Sequence, residues 1–498
     1  MRHNIKSDKK IFISNVFIMT GAFLAIRTVS MCFNVYISKI LGAELIGLYH
    51  LIFSAFSFAV TFSLSGTSLA ATRLISENRG EGKTSAIVIQ CITVSIFTSC
   101  TALILLNIGA KYISLNLLCD LRCVPALKIL SLGLPAMAIS SVIRGCLIAE
   151  NRVGAATLSQ ITEELVSIAV TVFLLKKYIG TQYAYMPLIL GLTASEVIAC
   201  AIDTFFYIAT RGIHMTSQKI PYKNILQISV PVALASYLRS ALVTSENILI
   251  PARLKLFGVK NAVAEYGIVK GMSMPVMLFP TVIITSVASL LIPELAKRNA
   301  QNRKNGIKYV ADNAIEYTMI FAAGTAACLF IYSKKLGECL YANQEAGLYI
   351  LYLALLAIPM YLDSITDSML KGLNEQVASL KINIIDSVLR VIFIFTVLPK
   401  FGIKGYIAIL YVSEILNLAF SFDRLAKCAD IHFNLIRSAI LPFAAAVISA
   451  YICLNINVNL VCGIITYAGI YALLVCIFMK IERILKISMA NKNKMSYN

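Results

Sequence analysis

IFISNVFIMTGAFLAIRTVSMCFNVY, residues 11–36, decides how the rest of the chain is read. It is long and apolar enough to cross a bilayer as a helix, which takes about 20 such residues. One full charge, Arg27, stands near its middle. An isolated guanidinium at that depth costs between about 2.5 and 17 kcal/mol, depending on the reference state. A chain that keeps one must give it water, a counter-charge or an anionic ligand. On a helix, Thr20, Arg27, Ser30, Asn34 and Ser38 share one polar stripe. That stripe is expected to face other helices or a wet cavity, not lipid.

The same texture runs through all 498 residues: 58% are hydrophobic, 14% are charged, and the mean hydropathy is +0.79. Soluble domains carry about 25% charged residues, so the chain reads as an integral membrane protein with no separate soluble domain. Long apolar runs, rather than short alternating segments, make it all-α and not an outer-membrane barrel. Fourteen transmembrane helices are predicted, at 11–36, 46–71, 84–109, 124–149, 155–175, 184–210, 225–250, 264–292, 307–332, 346–370, 377–398, 403–422, 436–455 and 459–479.

Net charge is +19. In a soluble protein that would suggest nucleic acid; here the cations sit in short loops, where they set topology, and no nucleic acid is expected. With both termini on one side, 27 Lys and Arg fall on that side, 14 on the other and three inside spans. The excess places both termini in the cytoplasm. Arg2, Lys6, Lys9 and Lys10 precede the first apolar run as in a signal peptide, but no small-residue cleavage site follows, so the run reads as a first anchor. Thirteen cysteines are scattered without a Cys-x-x-Cys, and four histidines are dispersed, so no metal site is expected. Cys119 and Cys123 share a loop and pair only if it is extracytoplasmic.

The chain repeats itself. Pro135 in the fourth span matches Pro359 in the tenth, and the two segments run together through Glu150-Asn151 against Asn374-Glu375 and Lys176 against Lys400. Ser195-Glu196 matches Ser413-Glu414, Arg27 matches Arg239, and Leu41-Gly42 matches Phe257-Gly258. Six spans per copy is an even number, so the repeat is parallel about an axis along the membrane normal. The expected lobes are 1–215 with helices 1–6 and 216–430 with helices 7–12. Residues 431–498 add two helices and a basic cytoplasmic tail. Transporters built this way hold substrate between lobes and rock around it.

The seventh span carries Ser236, Arg239 and Glu246 broadly on one face. Two equivalent helices thus each present an arginine. One reading is a cationic cavity of Arg27, Arg239, Asn34, Ser236 and Lys270 for a phosphate-bearing headgroup, whose oxygens match the guanidinium fork. The other is that Arg239 pairs with Glu246 and Arg27 with an acid elsewhere. Glu163 and Glu164 in the fifth span lack a local partner; one is expected to pair with Arg144, or the acids form a coupling site with Glu246. Asp386 and Arg390, four apart, read as a structural ion pair. Pro231, Pro275 and Pro280 mark possible hinges. There is no nucleotide-binding loop and no arrangement for hydrolysis, so the chain reads as a transporter, not an enzyme, with no cofactor.

Several segments in common order carry a resemblance: Gly42-Ala43-Glu44-Leu45-Ile46-Gly47-Leu48-Tyr49, Ser140-Ser141-Val142-Ile143-Arg144-Gly145, Ser159-Gln160-Ile161-Thr162-Glu163-Glu164-Leu165, Tyr266-Gly267-Ile268-Val269-Lys270-Gly271 and Leu291-Ile292-Pro293-Glu294-Leu295-Ala296. The chain resembles the stage V sporulation protein B (SpoVB)-like family of the multidrug/oligosaccharidyl-lipid/polysaccharide (MOP) flippase superfamily, related to the lipid II flippase MurJ. The resemblance implies a MATE/MOP flippase-like fold and an undecaprenyl-diphosphate-linked sugar as substrate, a peptidoglycan precursor such as lipid II or a polysaccharide unit. It implies a role in cell-wall or spore-cortex synthesis, with membrane lipids and cell-wall synthesis enzymes as partners. It also carries the role of cavity arginine to Arg27 and Arg239. Coupling to an ion gradient or to the membrane potential stays open. Two other readings remain: a cation-coupled multidrug exporter of the same fold, and a non-transporting membrane scaffold for envelope-synthesis enzymes.

Overall fold

The computed structural model describes residues 2–64, 66–77, 84–150, 152–211, 221–429, 431, 436–456 and 459–495, with the side chains of 2–20, 22, 23, 153, 210, 211 and 483–495 outside the description. Thr20 and the basic residues of both tails, Lys480 apart, therefore lie outside it. Every regular element among the described residues is a helix. In hydrocarbon no water is present to satisfy backbone groups, so each span must close its own hydrogen bonds.

Eleven helices are long and apolar enough to cross a membrane, twelve when the bent pair Ala262–Leu278 and Thr281–Ala300 counts as one. Two features account for the remaining spans of the predicted fourteen. Helix α1 (Arg2–Leu64) merges the first two across a kink at Gly42. Helix α14 (Gln376–Thr396) carries Lys381, Asp386 and Arg390, so it is long enough to span but less apolar than the others.

The first compact unit runs from Met1 to Gly267. It holds α1, α2 (Thr67–Glu77), α3 (Thr84–Tyr112), α4 (Cys123–Ala149), α5 (Val153–Tyr178), α6 (Met186–Arg211), α7 (Tyr222–Phe257) and α8 (Ala262–Tyr266). The sequence repeat assigns α7 to the second lobe. In this structure it packs along the part of α1 that follows Gly42: Tyr237 Oη donates to Phe62 O at 3.1 Å, their rings stack at 5.2 Å, and Thr244 Oγ1 donates to Ser54 O at 3.1 Å. Helices α2, α3, α4 and α7 share a core that includes Ala71, Ile75, Cys91, Cys146 and Ile225. Lipid tails are as apolar as leucine, so close packing through small residues and interhelical hydrogen bonds holds such helices together. Thr72 Oγ1 donates to Gly145 O at 3.1 Å, and Ser68 Oγ to Ser141 O at 2.9 Å.

Gly42 and Gly258, matched by the repeat, both have positive φ, 75° and 100°. Only glycine adopts that region freely, so each breaks the helix just before the second span of its copy. Beyond the breaks, α1 and α8 meet backbone to backbone. A Cβ on Gly47 would lie 2.1 Å from Val263 O, and one on Gly267 would lie 2.0 Å from Ala43 O. The contact is reciprocal, each glycine meeting the carbonyl four residues before the other. Beside it, Glu44 joins the α3–α4 turn through Arg122 at 2.9 Å and accepts from Asn261 at 3.1 Å. Asp120, 2.7 Å from Arg122, holds that guanidinium above its ordinary value. Cys119 and Cys123, in the same turn, are free thiols.

The second unit, Ile268–Asn498, begins in the π-helical turn Gly267–Ser273. Helices α9 (Met274–Leu278), α10 (Thr281–Ala300), α11 (Lys304–Tyr341), α12 (Gln344–Leu353), α13 (Ala357–Gly372), α14, α15 (Leu398–Ala429), α16 (Leu441–Leu454) and α17 (Leu460–Met495) follow. A 56° bend at Phe279–Pro280 makes Pro280 a hinge in geometry, whereas Pro231 sits inside unbroken α7. The added helices α16 and α17 dock on α11. Tyr467 Oη donates to Gly324 O at 3.0 Å, Tyr471 Oη to Ile320 O at 2.6 Å, and Arg437 pairs with Glu316 at 2.7 Å.

The glycine contact gives a stability prediction of opposite signs at two sites. Gly47→Val forces α1 from α8 and should destabilise by about 1–3 kcal/mol, read as a lower melting temperature in detergent. Gly469→Ala, in open space on α17, should be neutral or stabilising by up to about 1 kcal/mol.

Candidate functional site

The polar stripe of α1 faces α5. Ser30 Oγ donates to Glu164 Oε1 at 2.5 Å and also reaches Ile26 O. One turn before it, Arg27 is exposed and forms no ion pair among the described residues. Further along the stripe, Asn34 Oδ1 and Ser38 Oγ are buried with no hydrogen-bond partner among the described residues. A buried polar atom left without a partner costs about 1–3 kcal/mol.

Arg239 on α7 is likewise exposed and forms no ion pair among the described residues, with Glu246 or any other acid. Ser236 is half-buried one turn before it, and Glu246 is buried two turns beyond. The hydrogen bonds from α7 to α1 go to Ser54 and Phe62, in the segment after Gly42. The structure thus places Arg27 and Arg239 in one unit, on α1 and α7. Lys270 belongs to the second unit, its Nζ 5.8 Å from the centroid of the Tyr406 ring.

The predicted coupling residues meet at a different place. Arg144 on α4 reaches Glu163 on α5 at 2.5 Å and Asp203 on α6 at 2.8 Å. Asp203 is fully buried, and Glu196, two turns earlier on α6, is buried with its carboxyl in contact with that of Glu163. One guanidinium therefore stands among three carboxylates. Glu164, adjacent in sequence to Glu163, points instead at α1. The sequence pattern marks Glu196 only through the repeated Ser-Glu of the sixth and twelfth spans, and it does not join Asp203 to Arg144. Asp203 lies in the half of the sixth span that the topology puts on the same side as Arg144, with Glu196 at the middle of the span, and that common depth of Asp203 and Arg144 is the signal the sequence offers.

The second unit holds a matching group on the equivalent helices. Arg390 reaches Asp386 at 2.7 Å, one turn earlier on α14, and Glu414 on α15 at 3.5 Å. Ser413 Oγ donates to Asp386 and accepts from Arg390. Asn417 Nδ2 donates at 3.0 Å to Asp363 on α13, and Asp367 pairs with Lys371. Here the arginine stands with two acids, Asp386 and Glu414, while Asp363 is held by Asn417 and Asp367 by Lys371. Among the described residues, no group of three or more His, Cys, Asp or Glu is arranged to hold a metal ion.

Comparison with known proteins agrees with this architecture. The family model for polysaccharide biosynthesis proteins matches residues 12–299, and the MatE model matches 231–396. Stage V sporulation protein B of Bacillus subtilis (strain 168) is 24% identical, covering 95% of this chain and 97% of its own. Among solved structures, the lipid II flippase MurJ in an inward closed conformation superposes with a TM-score of 0.70 at 14% identity, covering 93% of this chain and 99% of its own. An inward-facing multidrug resistance MATE transporter gives 0.63 at 14% identity, over 82% and 96%. The fold is therefore one shared by transporters and flippases, and the chain belongs to the polysaccharide biosynthesis protein family.

Proposed function

We propose that the chain is an alternating-access flippase that moves an undecaprenyl-diphosphate-linked sugar across the bacterial cytoplasmic membrane, with both termini in the cytoplasm. The sugar is a peptidoglycan precursor or a polysaccharide unit for cell-wall or spore-cortex synthesis. The observation that carries this reading is the pair of intramembrane guanidiniums, Arg27 and Arg239, left without an ion pair among the described residues. An arginine with no carboxylate in a span calls for an anion from outside the protein, and a diphosphate offers the oxygens that its planar fork matches. Asn34 and Ser38 supply further polar contacts on the α1 stripe. Similarity to stage V sporulation protein B and to MurJ supports the same reading.

The acid clusters around Arg144 and Arg390 support coupling to an ion. Around Arg144 three carboxylates face one guanidinium and around Arg390 two do, a surplus of negative charge of the kind that marks ion pathways in membranes. The same surplus is what favours the second reading, a cation-coupled exporter. An exporter of organic cations would leave Arg27 and Arg239 unexplained.

Two experiments test these roles. In liposomes with a fluorescent undecaprenyl-diphosphate sugar, Arg27→Ala/Arg239→Ala should weaken headgroup binding roughly 100-fold, as expected for losing two charge-assisted contacts. Arg27→Lys/Arg239→Lys should fall between, keeping charge and losing the fork. Undamaged transport in a well-folded double alanine variant refutes the cavity. Glu163→Gln should keep headgroup binding but lower the acceleration of transport by an imposed ion gradient roughly tenfold, within the range of ordinary site-to-site coupling. An unchanged gradient response removes Glu163 from coupling.

A further inference from the structure

A long groove opens between α10 and α11, and none of the arginines or clustered acids described above lines it. It encloses about 470 Å³ and is lined by Ile283, Ile284, Val287 and Leu291 on α10 and by residues from Tyr309 to Phe321 on α11. Its floor, with Ile284 and Ala314, is buried; its walls, with Val287 and Tyr317, are exposed. At 1.5 Å per residue, the lining spans about 12 Å along α10 and about 18 Å along α11. That is the depth of one leaflet, half of a hydrocarbon core about 30 Å thick.

The end of the groove near Leu291 and Tyr309 runs up to the turn that joins the two helices, and that turn is cationic. Arg298 is neutralised by Glu294 at 2.7 Å and donates to Gly306 O. Lys297, Arg303 and Lys304 are exposed and form no ion pair among the described residues. Lys304 is five residues from Tyr309, about 7.5 Å along the helix. An apolar slot one leaflet deep, capped by three open positive charges at headgroup level, is complementary to a lipid that carries a phosphate.

We propose that the α10–α11 hairpin binds one acidic glycerophospholipid, an acyl chain in the groove and its phosphate against Lys297, Arg303 and Lys304. The depth of the groove favours this occupant over the transported lipid, because an acyl chain fills one leaflet and an undecaprenyl chain is far longer. The three cations separate it from an ordinary boundary lipid, since lysines and arginines at a membrane surface attract acidic lipids selectively. The site lies wholly in the second unit and involves none of the residues assigned to substrate or coupling. A bound lipid there would brace α10, the longer arm of the bent eighth span, against α11.

Native mass spectrometry of the purified full chain tests this with phosphatidylglycerol and phosphatidylcholine of identical acyl chains. The expected result is one phosphatidylglycerol held at activation energies that strip phosphatidylcholine. Lys297→Ala/Arg303→Ala/Lys304→Ala should weaken that retention about tenfold or more. Ala314→Leu, which fills the floor and keeps the charges, should weaken it as well. Melting temperature and size-exclusion profile report whether each variant is folded; if Ala314→Leu is not, Val287→Trp on the exposed wall replaces it. Equal retention of both lipids by the native chain overturns the proposal, as does undiminished phosphatidylglycerol retention in the folded triple variant. Displacement of phosphatidylglycerol by equimolar undecaprenyl phosphate also overturns it, by assigning the groove to the transported lipid.

Discussion

A charge inside hydrocarbon must be answered by the protein, and most of this architecture follows from how that is done. Arg144 ties α4 to α5 and α6 through Glu163 and Asp203. Arg390 joins α14 to α15 through Asp386 and Glu414. Arg437, just ahead of α16, holds Glu316 on α11 at 2.7 Å and lies 4.0 Å from Glu482 on α17. Each arginine is thus shared between two acids, and each sharing fixes helices that lipid alone would leave free to slide. Removing one partner of a buried pair leaves an uncompensated charge and costs about 3–5 kcal/mol. Against that rule Arg27 and Arg239 stand out, since no acid among the described residues pairs with either.

Backbone punctuation follows the duplication as closely as the charges do. Gly42 and Gly258 take positive φ before the second span of each copy. Gly180 and Gly402, at 78° and 57°, do the same before the sixth. The second span breaks at Gly66, where φ is 79°, and its counterpart bends at Phe279–Pro280. A Cβ on Gly66 would meet the Ser229 backbone at 2.3 Å, so that break also lets α7 close on α1. A parallel repeat keeps its breaks at corresponding places because a broken backbone is tolerated only where neighbouring helices supply partners.

The spans and the class of fold were legible because hydropathy is a local property and a bilayer imposes one length on all of them. The Asp386–Arg390 pair was legible for a similar reason: a spacing of four residues puts two side chains together on any helix. The pairing of Arg144 with Glu163 was foreseeable as one option. Its second partner, Asp203, depends on how α6 is rotated about its axis, which no local pattern encodes. Gly47 and Gly267 belong to quoted segments, yet their contact is backbone against backbone and leaves no side-chain signature. The match of Ile179-Gly180 with Phe401-Gly402 lay within reach of the repeat alignment and emerged only with the backbone angles. Lys270 has its Nζ 5.8 Å from the centroid of the Tyr406 ring, a neighbour distant in sequence that no local pattern encodes.

The arrangement of charge also bears on what can drive transport under the proposed function. A lipid diphosphate brings about two negative charges, and Arg27 with Arg239 brings two positive ones. The loaded cavity would then be close to neutral, and a neutral cargo complex gains little from the membrane potential, which acts at about 2.3 kcal/mol per unit charge per 100 mV. Under the same proposal an ion drive would enter where acids outnumber the arginine, three to one around Arg144 and two to one around Arg390. Protonation or cation binding there changes the charge that a cluster presents to its helices, and those helices follow one another in each copy of the repeat. Cargo and energy would thus be held on different helices of the first unit, α1 and α7 for the anion and α4 to α6 for the ion. Ser30 and Glu164, hydrogen-bonded across α1 and α5, join the two sets.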